Sequence, residues 1–357
     1  MIDNKNSRID FNGQLIYVGI DVHKKFWQVS IYTKDFEHKT FSSPPEVEAI
    51  VRYLQRTFPG GTYLCAYEAG YSGYWISQKF SSEGIKCIIA NPADIPAKDK
   101  EKRIKNDRID SRKIARALRN GELDSIYVHN PERLGDRSIV RMRHITIRKL
   151  TRTKNQIKAH ISFYGINPEN EEIKPNWSKK HINWLDLVSL EKRNGNIALK
   201  VLIDEYKYQK KVVLELTKQI KELSQSEYYK QNADNLITIP GISTLSAMIL
   251  LTEIGDINRF KSLDQLNSYV GLVPGEYSSG GNEHITGIVH RGNTLLRRIL
   301  IEIAWVAVKK DPSLLLAFNL YIKRMAKNKA IVKIARKLLN RIRFILKNKL
   351  DYEIALV

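Results

Sequence analysis

Over the first ninety residues the apolar positions fall in short bursts. Leu15–Ile20 (LIYVGI) and Phe26–Tyr32 are rich in β-branched and aromatic residues, and the basic turn His23-Lys24-Lys25 separates them. That is the pattern of two strands. Thr62–Tyr67 and Ile85–Ala90 repeat it, the latter closed by Asn91-Pro92. Between these runs Val47, Ile50, Val51 and Leu54 lie about one helical turn apart, and Tyr74–Phe80 reads as a second, shorter helix. Strands with interspersed helices predict an α/β domain over residues 15–130, preceded by a polar, mobile lead at 1–14.

The period then lengthens. Leu199, Leu202, Tyr206, Gln209, Val213, Leu216, Ile220 and Leu223 alternate steps of three and four, an a/d seam with one polar interruption at Gln209. An earlier helix, Ser138–Tyr164, is strongly basic, and the stretch 165–196 with Pro168, Pro175 and Gly195 reads as a loop-rich insertion. An antiparallel hairpin within the chain and a coiled coil between chains satisfy this seam equally, so residues 131–230 are expected to form a helical coiled-coil region. A mainly α unit follows over 231–345, with a tail at 346–357. In it Pro240-Gly241-Ile242 precedes a helix, like a helix-hairpin-helix element whose amides can hold a phosphate. Pro274–Gly281 reads as a loop, and His290-Arg291-Gly292-Asn293 introduces a helix bearing Arg297 and Arg298. Tyr321–Lys349 carries eleven Lys or Arg and no acid around an apolar stripe. Such a helix could lie on a membrane or a nucleic acid, or simply bury its stripe and solvate its charges.

Charge changes the picture more than any single element. The 357 residues carry a formal net charge of +21, which points to a polyanionic partner. No apolar run reaches the roughly 18 residues of a bilayer span and no signal-peptide core is present, so the expectation is nucleic acid and the cytoplasm. Cys65 and Cys87 sit in apolar strand-like runs without metal spacing and read as core residues.

Two acids end apolar runs: Asp21 after YVGI and Glu68 after LCAY. A carboxylate at the end of a buried strand is costly to desolvate unless something pairs with it. Asp107 and Asp110 follow at i,i+3 spacing, on one face of a helix if one begins near Asn106. Taken alone, each strand-end acid reads as a turn or cap residue, and the Asp pair as charge balance on a solvated basic helix.

The ordered set Asp21, Glu68, Asp107, Asp110 resembles the acids of the DEDD transposases, the insertion-sequence enzymes of the Piv-invertase type that act as bridge-RNA-guided recombinases. The resemblance rests on YVGIDVHKK, YEAGYSGYW, KNDRIDSRKIA, IPGISTLSAMILLTEIGDINRF and GLVPGEYSSGG…GIVHRGNTLLRR, in that order over residues 15–345. It implies an RNase H-like (RuvC-like) first domain, a coiled-coil middle and a C-terminal transposase domain. It implies a Mg²⁺ or Mn²⁺ site on the four acids, and a serine nucleophile at Ser279, with Ser278 the alternative. Donor and target DNA, a noncoding bridge RNA and further copies of the chain (a dimer or tetramer) are the implied partners, in the nucleoid of a bacterial or archaeal cell. Arg103, Lys105, Arg108, Arg112, Arg148, Arg152, Lys158, Gly241, Arg291 and Arg297 are the candidate nucleic-acid contacts. A hydrolytic junction resolvase using the acids and water, and a non-enzymatic nucleic-acid-binding protein, are the rival expectations.

Overall fold

The structure, a computed structural model, describes residues 10–96, 106–279, 282–289 and 291–354. The chain divides into two compact units, before and after residue 128.

The first unit is built on a five-stranded mixed sheet. Its strands are β1 (Leu15–Val22), β2 (Trp27–Tyr32), β3 (Glu37–Ser43), β4 (Thr62–Glu68) and β5 (Lys86–Ala90), in the order β3-β2-β1-β4-β5. β1 runs antiparallel to β2 and parallel to β4, and β4 is parallel to β5. Helices α1 (Val47–Thr57) and α2 (Trp75–Ser82) bury Ile50, Val51, Leu54, Ile76 and Phe80 with Val18, Val29 and Trp27 of the sheet. Phe11 packs edge-on against Phe58, so the chain is already seated on this core before β1. Helix α3 (Asp107–Arg119) lies on β1 and β2. Its N-cap is Asn106, whose side chain accepts from the Arg108 amide. β3 has no counterpart in the apolar pattern: EHKTFSS is almost wholly polar, and it holds the sheet edge through backbone pairing with β2. Both cysteines are free, Cys65 buried and Cys87 half-buried.

The second unit is mainly helical. α4 (Pro131–Phe163) and α6 (Arg193–Ser224) pack as an antiparallel hairpin, as the Arg143–Thr217 and His160–Gly195 hydrogen bonds show. The stretch expected to be loop-rich contains α5 (Lys179–Leu187). It buries Ile182, Trp184 and Leu185 against Ile157, Leu199 and Tyr206, and the Trp184 indole donates to Glu171 at 2.6 Å. At the other end Val140 and Ile220 enter the core of α7 (Lys230–Ile237), α8 (Thr244–Ile254), α9 (Leu263–Val270), α10 (Thr294–Lys310), α11 (Pro312–Ile322) and α12 (Lys327–Asn348). In α12 Ile331, Ile334, Leu338, Leu339 and Ile342 are fully covered. The basic helix therefore spends its apolar stripe on the core and keeps its lysines in solvent, while Arg341 pairs with Asp311 and Arg343 donates to the Phe260 and Lys261 carbonyls. Residues 274–279 are not a loop: β6 (Pro274–Ser279) pairs antiparallel with β7 (Asn282–Ile288), with Ser278 opposite Glu283 and Ser279 opposite Asn282. Tyr and β-branched residues around Gly280-Gly281 are the hairpin signal in this stretch.

A candidate metal centre and the basic face of the helical unit

The first unit gathers its acids at one end of the sheet. β1 and β4 are in register up to Ile20 opposite Tyr67, so the next residues, Asp21 and Glu68, emerge side by side. Helix α3 must come down on β1 for Asp107 and Asp110 to reach them, and Gly19 allows it. A Cβ there would fall 2.3 Å from both the Ala115 amide nitrogen and the Ser111 carbonyl oxygen. The contact is fixed from below by a buried hydrogen bond of 2.8 Å between the Ser30 and Ser111 hydroxyls. All four acids then line one recess of about 290 Å³, together with His23, Gly70, Tyr71 and Ser72. The Tyr71 hydroxyl donates to the Val22 carbonyl and ties the loop after β4 to the end of β1.

His23 belongs to this cluster, although the turn HKK gave it no special standing. Its Nε2 lies 3.1 Å from Asp21 Oδ2 and 3.4 Å from Asp107 Oδ2. Asp21, His23 and Asp107 each bring one possible ligand atom within 4.8 Å of the others. The signal was its position two residues beyond Asp21, where strand alternation returns a side chain to the same face. Burial pushes the Asp21 carboxyl above its usual range; His23 opposes that shift, and Asp110 and Asp107 add to it. Asp110 is countered by Lys113 Nζ at 2.6 Å. Carboxylate oxygens crowded in this way, one of them short of compensating charge, are a donor set that suits a hard divalent cation such as Mg²⁺; an imidazole nitrogen beside them also suits Mn²⁺.

The candidate cationic contacts part company. Arg103 and Lys105 lie outside the described residues. Arg108 is exposed, whereas Arg112 is engaged inside the unit by Glu37 at 2.8 Å and by Thr40. In the second unit Arg297 spans the Val270 and Arg291 carbonyls, which makes it a brace between two backbone segments. Gly241 has φ +94°, and a Cβ would come 2.9 Å from the Ile303 carbonyl oxygen and from Val306; close packing on α10 accounts for the glycine. The helix that follows is closed by a capping box between Ser243 and Ser246, which takes up amides that a phosphate would otherwise find. Arg291 is exposed, as are Arg148, Arg152 and Lys158 on α4. One group without a sequence signal is Glu253, fully buried on α8. Arg137, Arg141 and Asn293 all bond to its carboxylate. Burial alone would raise its pKa; the two guanidinium groups outweigh that and hold it down at about 2.

Known proteins align with the same stretches. Residues 18–166 match a DEDD-type family described as "Transposase", and residues 233–318 match the "Transposase IS116/IS110/IS902 family". A putative transposase, y4qE, of Sinorhizobium fredii is 32% identical over 68% of this chain and 58% of its own length. The transposase for insertion sequence element IS1111A of Coxiella burnetii is 25% identical over 75% of this chain and 73% of its own. The pilin gene-inverting protein of Moraxella bovis is 30% identical over 53% of this chain and 64% of its own length. The first match spans the strands and the helix that carry all four acids, and the second begins in α7 and runs past the β6–β7 hairpin. The chain belongs to the IS110/IS116/IS902 family of DEDD transposases.

Proposed function

We propose that the protein cuts and rejoins DNA strands in the movement of an insertion sequence, with its first unit acting as an RNase H-like, RuvC-type metal domain. The observation that carries this reading is the convergence of Asp21, Glu68, Asp107 and Asp110 on one recess. The sheet order β3-β2-β1-β4-β5, with acids at the ends of β1 and β4, is in keeping with it. Mg²⁺ or Mn²⁺ held there would polarise a scissile phosphate and stabilise the oxygen that leaves it. The acids orient that centre, His23 supports Asp21 and Asp107, and the loop at Tyr71 bounds the recess.

In this reading Ser279, or Ser278 beside it, supplies the nucleophile. Its Oγ forms a new ester bond to phosphorus, loses its proton to a base, and one strand's P–O bond breaks. A hydroxyl of the second strand then displaces the serine and restores a phosphodiester. Target choice falls to a noncoding bridge RNA, and the exposed arginines then serve as contacts to phosphate backbones that carry no sequence information directly. A dimer or tetramer is proposed through the helical hairpin. Ile197, Val201 and Tyr208 lie exposed on one face of α6, a stripe that a second copy would cover.

The test is to trap the full chain on element-end DNA with Mg²⁺ and locate any modified residue by mass spectrometry. An adduct on Ser279 or Ser278, lost in Asp21→Asn and in a variant with alanine at the modified serine, is the expected result. Cutting that survives alanine at both serines, with no adduct, would make the protein a hydrolytic nuclease. Function unchanged in Asp21→Asn would make it a non-enzymatic nucleic-acid-binding protein.

A further inference from the structure

A groove of about 750 Å³ runs between α4, α8 and α10 in the second unit. Its rim and its floor differ in chemistry. Arg148 and Arg152 stand exposed on the rim, one helical turn and about 6 Å apart along α4. Among the described residues no carboxylate pairs with either. Arg298 faces them from α10 and is bonded to Glu302 at 2.9 Å, so the one acid lining the groove is already matched. Arg143 is held at its end by the Thr217 hydroxyl. Below this rim lie half-buried Ile147, Leu295 and Ile299, with the amides of Asn155 and Gln156 alongside. His144 also lines it, and burial, with Arg298 and Arg148 nearby, lowers its pKa and favours a neutral ring.

A double helix offers phosphates to such a groove but keeps its bases stacked inside, leaving the apolar floor unused. An unpaired strand offers both: phosphates spaced to meet successive arginines and base faces that need apolar cover. The volume lies in the range of sites that enclose small organic ligands, room for a nucleotide. We propose that this groove binds an unpaired stretch of nucleic acid, its phosphates on Arg148 and Arg152 and its bases over Ile147, Leu295 and Ile299. This deepens the recombinase reading, since strand exchange and a structured guide RNA both present unpaired nucleotides, but the binding does not require the metal centre.

The test measures fluorescence anisotropy of the full chain with a single-stranded DNA 20-mer, its RNA equivalent and the duplex, across a salt series. For Arg148→Ala/Arg152→Ala the expected result is at least tenfold weaker binding of one or both single strands. The slope of log affinity against log salt should shallow by about 1.4, and the duplex should be little changed. Ile299→Trp, which fills the floor, should weaken the single strand without altering that slope. Whichever of RNA and DNA loses more identifies the strand that occupies the groove. Unchanged affinities, or equal losses on the duplex, would overturn the proposal, as would variants that change only the mass of the assembly, which would make the occupant a second copy. Asp21→Asn is run in parallel: strand cleavage lost with the arginine effect intact separates this groove from the metal centre, and an inactive wild type that still shows the arginine effect would sink only the recombinase reading.

Discussion

At the scale of single residues, two carboxylates answer opposite questions about buried charge. Glu253 is compensated by Arg137, Arg141 and Asn293, and its carboxyl sits near 2 instead of the ordinary 4.5. Its depressed pKa means that the stabilisation is complete above about pH 4.5 and is lost as pH falls toward 2. Denaturant titrations of the full chain should show Glu253→Gln less stable at pH 7 by about 3 kcal/mol, with the two proteins converging in strong acid. An equal gap at both ends would rule out this account of Glu253. Asp21 is the reverse case, an acid raised by burial with only His23 in support. Its charge costs stability once pH climbs past the ordinary carboxylate value. Without a divalent cation, Asp21→Asn should therefore melt at or above the wild-type temperature at neutral pH, and the two should coincide in acid. A melting temperature well below wild type would contradict this. The four acids were legible as a set only through the family resemblance of their order; their places at strand ends and a helix start also fit caps and charge balance. His23 and Glu253 were not legible, since a turn histidine and a glutamate inside an apolar helix reveal their partners only in three dimensions.

Elements explain why the acids meet. The β1 and β2 runs, α1, β4, β5 and the start of α3 at Asn106 could all be read from apolar spacing and capping. The polar edge strand β3 could not, because backbone pairing with β2 rather than side-chain burial creates it. Nor could α5, which at nine residues is too short for its Ile182, Trp184 and Leu185 to show a helical period, in a stretch marked by Pro168, Pro175 and Gly195. Gly19 is the hinge of the arrangement, since any Cβ meets the α3 backbone. Gly19→Ala should cost about 1–3 kcal/mol by overpacking and, where it still folds, should weaken Mn²⁺ affinity by shifting Asp107 and Asp110 away from Asp21. Unaltered cation affinity would show that α3 is placed by something else. In the hairpin the polar break at Gln209 is buried on the seam, and its Oε1 lacks a partner among the described residues. Gln209→Leu should raise the melting temperature, while a fall would mean that the amide has a use the packing does not show.

For the whole molecule, the charge of +21 lies mostly in the second unit, +17 against +4 in the first, and much of it on helices whose apolar faces are already spent, as in α12. Composition alone therefore points to a class of partner but not to a surface; many of the cations are simply solvated, and some, such as Arg112 and Arg297, are tied internally. Strand cleavage by the first unit requires its acids to share a cation. The most direct measurement is a Mn²⁺ titration of the full chain followed by electron paramagnetic resonance, with Asp21→Asn and Glu68→Gln beside the wild type. Saturable binding in the wild type that falls at least tenfold in each variant, both still folded, is the expected result. Binding of equal strength in all three proteins, or none in the wild type, would contradict it.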